Sequence, residues 1–306
     1  MERSHEDLYL PHSLFKVVDG IQEIVIKEGS AVYGCEEIQD IKLLLITDSI
    51  EYLYGFDYLP DGFSRVHDPK LSAGLIYERP ASLFKGMKAA YPVVDGVPAI
   101  VIGTPINTDL TLHEWILTIL HEHFHIIQMN QPGYFSGVES LNLSGGDQSG
   151  MWMLNYNFPY ESPAIGSLIR ELGVVLADAI ELNDLNNNEL KEVVSKLKVV
   201  VPEADLRYME FQLWQEGIAR YIEYEYSKVL GVMRDTELNP EFEMRDLANK
   251  KFSGGIQNLR SIDVSVDQRV VFYDLGWGIG MYLSTIDPYW KTKYWNKPFK
   301  ILDRLH

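Results

Sequence analysis

The sequence predicts an α+β fold, and three features of its patterning carry that expectation. Short apolar runs bounded by turn residues fall within roughly the first hundred residues, a long apolar-periodic segment begins near Leu110, and the chain beyond Pro163 reads largely as helix. The 306 residues read as one unit: an α/β lobe with a small sheet over 1–108, a buried helix over 109–130, and a mainly helical lobe over 131–306. No internal repeat, low-complexity tract or Pro/Ser-rich linker divides it.

Taken in order, Leu14, Val17, Val18, Ile21, Ile24 and Val25 recur at helical spacing, and Gly29 is expected to stop that helix. Ile41 to Thr47 is an apolar run of strand length. Gly74 to Tyr77 is a weaker strand candidate, and Ala99 to Gly103 a stronger one, closed by Thr104-Pro105. Asn107-Thr108-Asp109 then offer caps for a helix from Leu110 to about Met129. After Gln131-Pro132-Gly133, the Gly/Ser/Asn-rich stretch Ser136 to Asn157 reads as a long surface loop. Helices are expected over 163–182, 188–200 and 203–230. The chain after them reads as irregular except for a helix around Tyr273 to Thr285.

Composition narrows the function. Apolar residues make up 46% of the chain, enough for a substantial core. With 27 basic against 44 acidic residues the formal charge is −17, which repels phosphate backbones and anionic lipid, so neither nucleic acid nor membrane is an expected partner. The single cysteine, Cys35, excludes an intramolecular disulfide and a cysteine-rich zinc site; it is expected to be a buried, inert thiol. Met1 to Leu10 is charged and no run approaches about 18 apolar residues, which predicts a cytoplasmic protein, or a secreted or periplasmic one if a leader has been removed.

His121-Glu122-His123-Phe124-His125 matches H-E-x-x-H. Residues four apart share a helix face, so the imidazoles of His121 and His125 can reach one tetrahedral zinc, expected at one per chain. Glu122, about 100° round the helix, is placed to take a proton from water without ligating the metal. Zinc would bring the pKa of that water towards about 7 and polarise a carbonyl. His123 faces away and is expected in a supporting or surface role, and His113 in a structural or cleft-lining one. The metzincin continuation fails, because Gln128 and Gln131 stand where its glycine and third histidine belong.

A catalytic zinc needs a third protein ligand. Glu216 is the preferred candidate, because Gly217 and Ala219 flank it with little bulk and a glycine within a helix costs about 1 kcal/mol unless a close approach requires it. Glu139 and Glu161 are the alternatives. H-E-x-x-H followed by Glu216-Gly217-Ile218-Ala219-Arg220-Tyr221 resembles the gluzincin metallopeptidases. The resemblance covers these two motifs, and Glu216 follows His125 at a far longer interval than in thermolysin-like or aminopeptidase-N-like enzymes. It implies a zincin-like fold, His121, His125 and Glu216 as ligands, Glu122 as base, and a peptide or protein substrate. Phe272-Tyr273-Asp274-Leu275-Gly276 also resembles the segment that carries the oxyanion-stabilising tyrosine in aminopeptidase-like gluzincins, which points to Tyr273, with Tyr221 and Tyr160 in reserve. Ala99 to Gly103 resembles the strand that pairs with extended substrates in such enzymes, and equally reads as a core strand. The alternatives to a metallopeptidase are a non-catalytic zincin-like binding protein and a metal-dependent hydrolase of a small amide or ester.

Overall fold

The computed structural model describes residues 11–67, 75–147, 149–184, 188–233, 238–239 and 243–305. The reading of Met1 to Leu10, and Gly74 in the weaker strand candidate, lie outside the described residues. The architecture is α+β, a six-stranded sheet in the first part followed by a mostly helical second half. The chain forms two compact units, one comprising residues up to Met129 with Glu225–Ala248, the other Asn130–Tyr224 with the residues from Asn249 onward.

The first unit opens with α1 (Pro11–Tyr33). Gly29 lies inside this helix, where its missing Cβ makes room for Ile38; the helix instead ends at Gly34, whose φ of 73° is the left-handed conformation that glycine adopts without strain. The strands β1 (Leu43–Ile46), β2 (Ile50–Tyr54), β3 (Ser64–Arg65), β4 (Ile76–Pro80), β5 (Lys88–Val94) and β6 (Val97–Gly103) form one sheet in the order β3-β4-β2-β1-β6-β5. β1 and β6 run parallel and the other pairings are antiparallel. β1 and most of β6 are buried on both faces, which is why they read as unbroken apolar runs. Leu44, Ile46, Ala99 and Val101 point to a core with Phe56, Phe63 and Tyr77. β6 therefore has both its edges occupied, by β1 and β5, and offers no ladder to an extended substrate. The strands β2 and β5 escaped the sequence reading because their mixed polar and half-buried residues lack an unbroken apolar run.

Thr104 caps the short helix α2 (Pro105–Thr108), and Asp109 ends it in the left-handed region. The long helix α3 (Leu112–Met129) starts later than expected, because Thr111 supplies its cap: Glu114 N–H donates to Thr111 Oγ1 at 3.2 Å, and Thr111 N–H donates to Glu114 Oε2 at 2.9 Å. Trp115 hooks α3 to the end of β6 through a 2.8 Å bond from Nε1 to Gly103 O.

In the second unit, the stretch expected as a loop holds α4 (Tyr134–Ser140) and α5 (Trp152–Asn155). Buried aromatics override its Gly/Ser composition: Tyr134 packs with Trp214 and Phe299, and Trp152 with Phe211. Then come α6 (Pro163–Leu182), α7 (Asn188–Val200) and α8 (Glu203–Gln212), followed by a π-helical turn, Leu213–Gly217, and α9 (Ile218–Gly231). The tail expected to be irregular contains α10 (Glu243–Arg260), α11 (Val264–Asp267) and α13 (Trp290–Tyr294), and the helix expected around Tyr273 to Thr285 is α12 (Val271–Ile286). α12 is the buried centre of the second unit. Its Gly276 meets Gly217 backbone to backbone, so a Cβ built on Gly217 would stand 2.5 Å from Gly276 Cα and 2.6 Å from Phe272 O. No helix among the described residues is long and apolar enough to cross a membrane.

Candidate metal centre

Nearly all of α3 is buried, including His113, His121, Glu122, His123 and His125. One helical turn brings the Nε2 atoms of His121 and His125 to 3.0 Å. Two imidazole nitrogens at that distance need a proton or a cation between them. Nitrogens bound to one tetrahedral zinc through bonds of about 2.0 Å stand about 3.3 Å apart, so the pair is already near ligand spacing. The other nitrogen of His125 is fixed: Nδ1 lies 2.7 Å from Gln128 Oε1, and with that carbonyl oxygen as acceptor Nδ1 carries the hydrogen and Nε2 presents its lone pair. Gln128 went unremarked as an orienting residue in the sequence, although its place three residues beyond His125 put it within reach.

The other two histidines of α3 are committed elsewhere. His123 is fully buried rather than at the surface. Its Nε2 lies 2.9 Å from Gln39 O and so donates, which leaves Nδ1 to accept from Tyr33 Oη at 2.9 Å. Burial pushes the His123 pKa down to about 4, so the ring is neutral near pH 7. His113 places Nδ1 3.1 Å from Glu243 Oε2.

Glu216 sits in the π-helical turn, where Ile218 N–H reaches back five residues to Leu213 O. Polar groups surround it. Tyr273 hydrogen-bonds to Glu216, and Arg269 Nη1 donates to Tyr273 Oη at 2.6 Å. Burial, reinforced by the charge of Glu216, holds the Tyr273 phenol well above its ordinary range, so it stays protonated and able to donate. Tyr134 donates to Gln215 Oε1 at 3.0 Å, and its phenol is pushed up by burial and then by Glu216. Sequence patterning singled out neither Tyr134 nor Arg269, since each reaches this cluster only through the tertiary fold.

Donor atoms from His121, His125 and Glu216 all lie within 4.8 Å of one another, a group able to hold a metal ion. Two imidazoles and a carboxylate are the nitrogen and oxygen donors that zinc takes at catalytic sites. Glu139 and Glu161 are exposed and take no part in such a group. Of the reserve tyrosines, Tyr221 is buried, with its hydroxyl 2.7 Å from Ser284 Oγ, while Tyr160 hydrogen-bonds to Tyr208. Cys35 is half-buried rather than buried, and burial raises its thiol to about 11, which keeps it protonated. Compared with known proteins, the chain matches no family model, no curated protein and no solved structure.

Proposed function

We propose that this chain is a zinc-dependent hydrolase with a zincin-like fold, a metallopeptidase in which His121, His125 and Glu216 hold one ion. The observation that carries the reading is the convergence of three donor atoms within 4.8 Å, with the base-type carboxylate of Glu122 next to the first of them in sequence. Bound there, zinc supplies a Lewis acid that acidifies water and polarises a substrate carbonyl.

The protein's own groups do the rest. The Glu122 carboxylate accepts the proton of the attacking water and passes it to the leaving amine. Gln128 holds the His125 ring in the tautomer that leaves Nε2 bare. The protonated Tyr273 phenol, next to Glu216, donates to the oxyanion as it forms. Arg269, against the same hydroxyl, favours negative charge there.

Metal analysis after dialysis against zinc is expected to find one ion per chain. Glu122→Gln is expected to keep the ion and lose on the order of a thousandfold or more in hydrolysis of a mixed peptide library, whereas His121→Ala loses both. A wild-type chain that retains no zinc, or a Glu122→Gln enzyme that still turns over, would overturn the reading.

A further inference from the structure

We infer that Arg269 is the anchor for the C-terminal carboxylate of a peptide, which makes the hydrolase a carboxypeptidase; this rests on the metallopeptidase reading above. Arg269 lies in the short 3-10 turn Gln268–Val270 that leads into α12, one helical turn before Tyr273. Its guanidinium is half-buried and directed at Tyr273, with Cζ 5.2 Å from the ring centroid and Nη1 on the hydroxyl.

Among the described residues, three of the other four half-buried arginines sit against carboxylates, and the fourth, Arg304, donates to Lys293 O. Arg79 bonds Glu51 at 2.6 Å, Arg207 bonds Glu203 at 2.8 Å and Arg220 lies 3.4 Å from Glu223. Among the described residues Arg269 forms no ion pair with a carboxylate, in a chain that carries 44 acidic residues. The acid that acts on it is Glu216, through space, and the proposed ion commits that charge. A cation taken partly out of water without a counter-charge is costly, and a ligand carboxylate supplies the missing one. Arginine presents five N–H donors in a planar fork that matches a carboxylate, and the Tyr273 bond accounts for only one.

The geometry also ties recognition to chemistry, since Tyr273 touches both Arg269 and Glu216. A peptide held by its last carboxylate on Arg269 therefore brings its final peptide bond towards the ligand carboxylate rather than an internal one. The reaction is hydrolysis of that bond: the hydroxyl of water adds to the carbonyl carbon, the C–N bond breaks, and the remaining proton leaves on the amine of the released amino acid.

The test compares acetylated hexapeptides of mixed sequence that differ only in ending in a free carboxylate or a carboxamide. Binding is read by calorimetry on the full chain, both zinc-loaded and chelator-treated, and digestion by mass spectrometry. Wild-type protein is expected to bind the free acids at least tenfold more tightly and to shorten them one residue at a time from the C-terminus. Arg269→Gln is expected to erase the preference with zinc content unchanged, and Arg269→Lys to retain part of it. Equal binding of acids and amides, or a preference that survives Arg269→Gln, overturns the inference; the wild-type comparison decides it even if the variant fails to fold. Cleavage of amides at internal bonds by a zinc-loaded chain would sink the carboxypeptidase assignment and leave the hydrolase standing. Failure to bind zinc would sink the hydrolase, while the acid-against-amide comparison on chelator-treated protein still judges Arg269.

Discussion

The helix that carries the two histidines and the helical run that carries Glu216 place their side chains by opposite means. α3 is regular throughout, capped by its own Thr111 and Glu114, so one turn of ordinary α-helix sets the spacing of His121 and His125. Glu216 sits where the helix departs from regularity, in a π turn whose Gly217 is pressed against Gly276 of α12. The first arrangement depends on local repeat alone. The second depends on two backbones meeting at a point that admits no side chain.

The contrast is sharpest at Gly217. A Cβ there meets backbone atoms of α12, which cannot swing aside as a side chain can. Gly217→Val is expected to cost about 3 kcal/mol or more in urea unfolding, with Gly217→Ala less severe and both weakening zinc retention. If Gly217→Ala unfolds at the wild-type urea concentration, the crossing does not fix the turn and the contrast fails.

The run leading into that turn also carries a pH-dependent cost. Glu210 on α8 is buried and accepts Leu302 N–H at 3.2 Å, and burial raises its carboxyl from 4.5 to about 7. A carboxyl with a folded pKa above its unfolded one binds its proton more tightly in the folded state. Its contribution to stability is thus full below pH 4.5 and lost as pH rises through about 7, a total of up to about 3 kcal/mol by linkage. Glu210→Gln is expected to flatten that part of the profile and to be the more stable protein at pH 8. Parallel urea titrations at pH 5 and pH 8 that show the same slope for both proteins would remove Glu210 from the account.

The smallest expected effect falls on the regular helix. Gln128→Ala is expected to weaken zinc binding by about 10- to 100-fold, since it frees the His125 ring to turn. A competition titration with a chromophoric chelator checks this, and unchanged affinity would mean that helix periodicity alone orients the ring.

The same contrast explains what was legible beforehand. The spacing of His121 and His125, the continuous apolar strands β1 and β6, and the extents of α6 and α7 are local patterns, and the sequence displays them. The helix stop at Gly29 was misplaced because a glycine that serves packing, here against Ile38, looks identical to one that serves a turn. Glycine beside Glu216 did signal a close approach, but the backbone it meets is that of α12. α4 and α5 were hidden by composition, since what folds them is Tyr134 and Trp152 finding aromatic partners far along the chain. Arg269 and Tyr134 were hidden for the same reason: their relation to Glu216 exists only after tertiary packing.

The margins of the sheet bear on how this protein behaves at high concentration. One outer strand, β3, is only Ser64–Arg65, and the other, β5, carries Pro92 and a register shift between Pro92 and Val94. Proline has no N–H to give a neighbouring chain, and the shift interrupts the regular array of donors and acceptors. Among the described residues, the longest uninterrupted stretch of outer strand is Lys88–Tyr91, which begins at a charged lysine. The fold therefore carries its own protection against edge-to-edge polymerisation, and removing Pro92 is where that protection would first be lost.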